Sequence, residues 1–293
     1  MAIFEKMILE EELSISNDVK ELTDILSSEI IRNINNSKYN QMTMFDYINI
    51  KPIQILYKHT IIKDYNCFDK NINVSVICYQ FNNKEEYIKY HPFIDTIGGT
   101  YNRTLNNIEL GIVSINDKIN VSMLKNFLSH ELEHIYQYSL IETKGLPSIY
   151  KKLINIINNP HNINDVLYSI CYCLYFLDKG EINANLHGLY FELKERNVQD
   201  LNGLNQTNLL LTYNNVIKLY KEFITLGDDD IKLIESLNYL KLTKNQIIKL
   251  IDIGLKYFKN KLGKVWQRYI NELTITECKL KKVNKSIYTY NLF

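Results

Sequence analysis

Two histidines lie four residues apart in the segment NFLSHELEHIYQYSL, residues 126–140, and a glutamate directly follows the first of them. Residues four apart on a helix share one face, so both imidazole rings can bind the same metal ion. A glutamate one position after the first ligand can reach a water molecule beside the ion and take its proton. His130, His134 and Glu131 therefore predict a hydrolytic metal site, with one Zn²⁺ per chain as the expected cofactor.

The residues around this motif predict that it lies on a helix. Ser122 can cap a helix that runs to about Ile141. At 100° per residue, the three chemical side chains fall within about 100° of one another, at the border of the apolar arc. A zinc site needs this position, because it must be partly buried and still keep one open coordination position. The opposite arc is predicted to face solvent and consists of Lys125, Ser129, Glu133 and Tyr136.

The segment LDKGEINANLHGLYFEL, residues 177–193, supplies candidates for the third protein ligand that a catalytic zinc ion requires. Glu181 is predicted to open a helix. Ala184 lies on the same side of that helix and is small enough to let it approach the histidine-bearing helix. Asn185, one turn after Glu181, can hydrogen-bond a histidine ligand and hold its ring in one orientation.

His187 is the alternative third ligand. It lies six residues after Glu181, about 240° further around the helix, so the two cannot bind the same ion. If Glu181 is the ligand, His187 could instead stabilise the negative charge that develops on the substrate, and Tyr190 is a further candidate for that role. A glutamate in the first turn of a helix is also favourable for purely structural reasons.

HELEH, followed 47 residues after His134 by EINAN, resembles the gluzincin group of zinc metallopeptidases. The core of these proteins is similar to that of thermolysin, with HExxH on one helix and a glutamate on a second helix, followed three residues later by a small residue. The order of strand, HExxH and E-x-x-A-N is also similar to the ImmA/IrrE group of phage and bacterial regulatory peptidases. The resemblance covers residues 107–193 and implies that His130, His134 and Glu181 bind zinc and that Glu131 is the general base.

The same resemblance implies how a substrate is bound. The strand before the active helix, NIELGIVSIN, would form the edge of the sheet and would bind a peptide backbone by strand addition. Its central glycine would permit close approach of that backbone. The residues expected to line this substrate edge are Glu109, Leu110, Gly111 and Ile112.

The resemblance leads to the hypothesis of a zinc endopeptidase that acts on a peptide or protein. One competing hypothesis is a structural or assembly protein, such as a phage virion component, that keeps the metal helix as a scaffold without general protease activity. Another is a regulator that cleaves one partner protein. Metal content would distinguish the first alternative, and cleavage of a single partner would distinguish the second.

Hydrophobic periodicity predicts the elements that carry the motif. The expected strands are 52–63, 72–81 and 107–115, and the turn signals at Gly98–Gly99 and Asn106–Asn107 bracket an extended segment between them. The expected helices are 16–34, 83–90, 122–141, 146–158, 163–178, 180–195, 205–226, 229–240 and 243–276. Strands followed by helices favour an α+β fold. We expect a zincin-like domain over residues 1–200, with a small mixed sheet and the active-site helix, and a C-terminal helical subdomain over 201–293.

Composition argues against other classes of function. The formal net charge is +1, which disfavours a nucleic-acid or anionic-membrane partner. The N-terminus lacks the pattern of a signal peptide and no apolar run could span a membrane, so we expect a cytoplasmic protein, although packaging in a virion is compatible with this. The five cysteines form no framework spacing and predict reduced thiols. Abundant Ile, Asn, Lys and Tyr are typical of AT-rich genomes, such as those of low-GC bacteria and their phages.

Overall fold

The computed structural model describes residues 17–36, 42–43, 54–67, 70–81, 83–90, 97–102, 105, 107–116, 118–141, 148–158 and 163–290. In this part of the chain, a first helix, α1 (Asn17–Asn36), is followed by a sheet and then by a series of helices. This is the α+β class that the sequence predicted.

The strands form one mixed sheet. Their bounds are β1 Met42–Thr43, β2 Gln54–Cys67, β3 Lys70–Phe81, β4 Gly98–Asn102, β5 Asn107–Ile115 and β6 Lys118–Ile119. The described strands lie in the order β1-β2-β3-β5-β4, and β6 pairs with β5. β3 and β5 are parallel and the other neighbours are antiparallel. A parallel pair requires a crossover connection, and α2 (Lys84–Tyr90) lies within it.

Alternate residues of β3 and β5 supply the main core. The even-numbered positions from Val74 to Cys78 and from Ile108 to Ile112 are apolar and buried, which is the period of two expected for a strand with one face on a core. They pack with apolar residues of α1 and of the helix that follows β6, α3 (Val121–Ile141). The buried members of this cluster are Val19, Leu26, Ile30, Val74, Val76, Cys78, Ile108, Leu110, Ile112, Leu124, Leu128, Leu132 and Ile135.

The other face of the sheet is covered by a smaller cluster. Tyr79, Phe81 and Val113 are its buried members, and Tyr87 of α2 packs against them. The rings of Phe81 and Tyr87 meet edge to face at a centroid distance of 5.4 Å. The sheet is therefore buried on both faces at its centre, as expected for a parallel pair.

The remaining helices follow α3. Their bounds are α4 Ser148–Asn158, α5 Asp165–Phe176, α6 Lys179–Arg196, α7 Leu201–Asn205, α8 Asn208–Thr225, α9 Ile231–Leu240 and α10 Lys244–Tyr290. Side-chain caps begin several of them: Asn164, Asp200 and Asp230 each accept a hydrogen bond from a backbone N–H three residues later. The helix predicted over 205–226 corresponds to α8, the short helix α7 before it was not predicted, and the last helix extends well beyond the predicted residue 276.

Contacts divide the chain into two compact units. The sheet unit contains Glu11–Ser148 and Gly180–Glu195, and the helical unit contains Ile149–Lys179 and Arg196–Phe293. Nearly all of α6 thus belongs with the sheet, whereas α4 and α5 belong with the C-terminal helices. The expected domain boundary at residue 200 stays a prediction, and these units divide the chain differently.

α3 is more deeply buried than its sequence predicted. Ser129 and Glu133, both expected to face solvent, are only 0% and 6% exposed. Lys125 is also partly buried, and its ammonium group lies 2.9 Å from Asp24 of α1 and 2.7 Å from Glu195 of α6. The reason is that α1, α6 and the sheet all pack around α3, so a single apolar arc does not describe its environment.

In the part of the chain that the structure describes, no helix combines the length and apolar character that a membrane span requires. Cys78, Cys171 and Cys173 are buried free thiols. The side chains of Cys67 and Cys278 lie outside the described residues.

Candidate metal centre

Three potential metal ligands converge in the sheet unit. His130 and His134 project from α3, and Glu181 projects from the first turn of α6. The Nε2 atoms of the two histidines are 3.1 Å apart. Oε2 of Glu181 lies 3.7 Å from Nε2 of His130, and Oε1 of Glu181 lies 3.4 Å from Nε2 of His134. Among the described residues, these three side chains form the group that could hold a metal ion.

The spacing of these atoms suits a small tetrahedral ion. Ligand atoms about 2.0–2.1 Å from zinc, at tetrahedral angles, lie about 3.3–3.4 Å from one another. The observed separations of 3.1, 3.4 and 3.7 Å bracket that value. The side chains of His130, His134 and Glu181 are 19%, 12% and 4% exposed, so the cluster is sheltered without being sealed. The arrangement is zincin-like, as the sequence predicted.

Glu131 lies beside edge strand β4. It is 5% exposed, and the backbone N–H of Tyr101 donates a hydrogen bond to its carboxylate. Burial, together with the charge of Glu181, raises the pKa of Glu131 to about 7, although His134 and the Tyr101 N–H oppose the rise. A carboxylate with a pKa near neutrality can both accept and release a proton at physiological pH.

The two histidines have unlike electrostatic environments. Burial and the charge of His134 lower the pKa of His130 to about 4, although Glu181 opposes this effect. Burial also acts to lower the pKa of His134, but the carboxylates of Glu181 and Glu131 outweigh it and raise that pKa to about 9. Glu181 therefore favours positive charge at both rings, which is the electrostatic requirement of a cation site.

α6 can bring Glu181 close to α3 because the side chains on the contacting face of α6 are small. Ala184 is fully buried, in agreement with the small residue expected at this position. A β-carbon on Gly188, one turn later, would lie 3.1 Å from the carbonyl oxygen of Asn126 on α3 and closer still to its side-chain oxygen. Gly188 was not identified from the sequence, although its spacing of four from Ala184 was the available signal.

Asn185 hydrogen-bonds the side chain of His130. The sequence predicted such a bond from Asn185 to a histidine ligand. A partner of this kind orients the ring of a metal ligand and favours one tautomer. The second histidine has a different partner, Gln137 of α3, whose Oε1 lies 3.4 Å from His134 Nδ1. Gln137 was not identified from the sequence, and its spacing of three from His134 was the only signal.

The solvent-facing position expected for Glu133 is wrong. Its Oε2 lies 3.4 Å from Nδ1 of His187, which is 1% exposed. Burial raises the pKa of Glu133 to about 7, against the effects of Gln137 and His134. Glu133 is buried because α6 places His187 against its carboxylate, and a pattern on α3 alone does not contain that information.

His187 and Tyr190 do not join the ligand cluster in the described structure. His187 contacts Glu133 instead of the three ligands. The ring of Tyr190 is fully buried, with the ammonium groups of Lys20 and Lys194 at 5.2 and 5.8 Å from its centroid. Their expected role in stabilising charge on the substrate stays a prediction.

The expectation that the strand before the active helix forms the sheet edge is wrong. β5 lies between two neighbours: its residues Glu109, Leu110 and Gly111 pair with β3 on one side and with β4 on the other, and Ile112 pairs with β3. The Gly98–Gly99 pair, expected to mark a turn, instead begins the additional strand β4. Within the described sheet, β4 is the edge strand on the side of Glu131.

Comparison of the chain with models of protein families, with curated proteins and with solved structures found no match.

Proposed function

We propose that this protein is a zinc-dependent peptidase in which His130, His134 and Glu181 bind the ion and Glu131 is the general base. The observation that carries this proposal is that the His–His–Glu cluster occurs together with the buried carboxylate of Glu131. Glu131 lies on the same helix as the two histidines. A purely structural zinc site is closed by four protein ligands. Here the described group has three, which favours a catalytic site.

The donor set supports zinc over the hard cations. Two imidazole nitrogens and one carboxylate are ligands that zinc accepts readily, whereas calcium and magnesium prefer oxygen donors throughout. Zinc held by such a set supplies Lewis acidity, which acidifies water and polarises a carbonyl group. The hydrogen bond between Asn185 and His130 also supports a metal site, because histidine ligands are commonly oriented by a partner of this kind.

Glu131 is suited to move a proton. Its carboxylate accepts a hydrogen bond from the N–H of Tyr101 and lies close to Gly99 of the same strand. From this position it would take a proton from the attacking water and then deliver that proton to the amine that leaves. Burial strengthens these interactions, because few water molecules compete for the carboxylate.

Edge strand β4 supports a peptide as the substrate. β4 is short, pairs with β5, and runs directly past Glu131. An extended peptide could add to its outer edge through backbone hydrogen bonds, which would bring a scissile carbonyl group beside the base. The substrate edge proposed here is thus β4 in place of β5.

The decisive experiment measures metal content and hydrolysis together. Purified protein is expected to bind one zinc ion per chain and to cleave members of a mixed peptide library. Glu131→Gln should retain the ion and lose cleavage, because an amide cannot accept the proton. Glu21→Gln, at an exposed position of α1, makes the same chemical change away from the cluster and is the matched control, which should behave as the wild type. A wild-type chain that binds no zinc, or that binds zinc and cleaves no peptide, would contradict the proposal.

A further inference from the structure

Gln137 makes three polar contacts around the candidate metal centre. Its Nε2 donates to Oε1 of Glu133 at 3.1 Å and to the backbone carbonyl oxygen of Gly180 at 3.1 Å. Its Oε1 lies 3.4 Å from Nδ1 of His134. The amide therefore connects one part of α3 with the first turn of α6.

These contacts determine which way the amide points. A backbone carbonyl oxygen can only accept a hydrogen bond, so the Gln137 atom that faces Gly180 must be the nitrogen. The oxygen is then left to face His134, and it can only accept. It follows that Nδ1 of His134 carries the proton that is donated to Gln137.

The consequence lies at the other nitrogen of the same ring. With Nδ1 protonated, Nε2 is the atom of His134 that can offer a lone pair to a metal ion. Nε2 is also the atom that faces the cluster, 3.1 Å from Nε2 of His130 and 3.4 Å from Oε1 of Glu181. Gln137 thus favours the tautomer that the cluster needs.

The bond to Gly180 acts on a second ligand. Gly180 directly precedes Glu181, and its carbonyl oxygen is held by a side chain from α3. Movement of the first turn of α6 away from α3 would break this bond. One amide group therefore positions a ligand on each of the two helices.

We infer that Gln137 is a positioning residue of the metal centre, which fixes the tautomer of His134 and anchors the helix turn that carries Glu181. This inference rests on the proposed metal site. It assigns to Gln137 no contact with the metal or the substrate.

The test compares zinc affinity in chelator competition for the full chain and for two variants. Gln137→Met keeps the length of the side chain and removes its hydrogen bonds. Gln137→Asn keeps the amide and withdraws it by one methylene group. Each is expected to lower zinc affinity by about 10–100-fold, the usual cost of losing a partner of a ligand. Gln267→Met, an exposed glutamine of α10 in the helical unit, is the control and should leave the affinity unchanged.

A second readout separates positioning from simple loss of structure. In zinc-loaded protein, long-range ¹H–¹⁵N spectra should show His134 bound through Nε2 with a protonated Nδ1, and this pattern should weaken in both variants while far-UV circular dichroism is unchanged. If Gln137→Met does not fold, the zinc affinity and spectra of Gln137→Asn decide the test. Folded variants with wild-type affinity and spectra would overturn the inference alone, whereas a wild-type chain that binds no zinc would overturn the proposed function itself.

Discussion

Gly99 of β4 lies so close to Glu131 of α3 that a β-carbon at position 99 would be 2.9 Å from both Cγ and Oε1 of the glutamate. Real β-carbons essentially never approach other atoms this closely, so the glutamate can occupy its place only because residue 99 has no side chain. The edge strand and the proposed general base are therefore matched to each other.

Gly99→Ala should displace the Glu131 carboxylate while leaving the ligands in place. We expect peptide cleavage to fall by about 100-fold, the scale of loss from a misplacement of about 1 Å, with zinc content unchanged. Gly263→Ala makes the same change in α10, where the added β-carbon meets nothing within 4 Å, and is the control. Cleavage rates and zinc content measured side by side test this, and full activity in Gly99→Ala would show that the carboxylate has another route to its position.

Removal of single ligands distinguishes Glu181 from His187 as the third zinc ligand. His134→Ala and Glu181→Ala should each weaken zinc binding by more than about 100-fold, which exceeds the usual effect of an outer partner. His187→Ala should remain within about tenfold of the wild type, because this histidine contacts Glu133 and not the cluster. Isothermal titration with zinc measures all three, and the reverse order of Glu181→Ala and His187→Ala would refute the assignment.

Two glycine-to-alanine substitutions are expected to have opposite effects, because only one of the glycines lies where α6 approaches α3. Gly188→Ala should destabilise the protein by about 1–3 kcal/mol through overpacking against Asn126, in spite of its better helix propensity. Gly263→Ala on α10 should stabilise it by up to about 1 kcal/mol, since a β-carbon there meets nothing within 4 Å. Urea denaturation of both variants checks the signs. A stabilising Gly188→Ala would mean that the two helices are further apart than described.

The buried thiols should be protected from alkylation. Burial raises the pKa of Cys78 and of Cys173 to about 12, and burial together with the nearby Cys173 raises that of Cys171 to about 12. Thiolate forms only as the pH approaches this value, so at about pH 8 almost none of the reactive form is present. Iodoacetamide is expected to leave all three unmodified in the folded protein and to label them after denaturation, as measured by mass spectrometry. Rapid labelling of the folded protein would contradict the packing of β3 and α5.

The ligand set was predictable from the sequence because its geometry is largely local. The spacing of His130 and His134 places both rings on one face of any regular helix. The position of Glu181 depends on tertiary packing, yet the helix start predicted near Gly180, the small Ala184 and the polar Asn185 indicated it in the sequence. The fold class followed in the same way, since the periods of two and 3.6 are properties of single elements.

The surroundings of the site could not be read in this way, because they depend on which elements pack together. A helical wheel gives directions about the axis of α3, but it does not show that α6 brings His187 to bury Glu133. Likewise, the pattern of β5 is that of any buried strand, and only its pairing with β4 makes it an interior strand. Gly99 against Glu131, and Gln137 against Gly180, join residues that are 32 and 43 positions apart. Such contacts are made by tertiary packing, which brings together atoms whose separation along the chain carries no periodic signal.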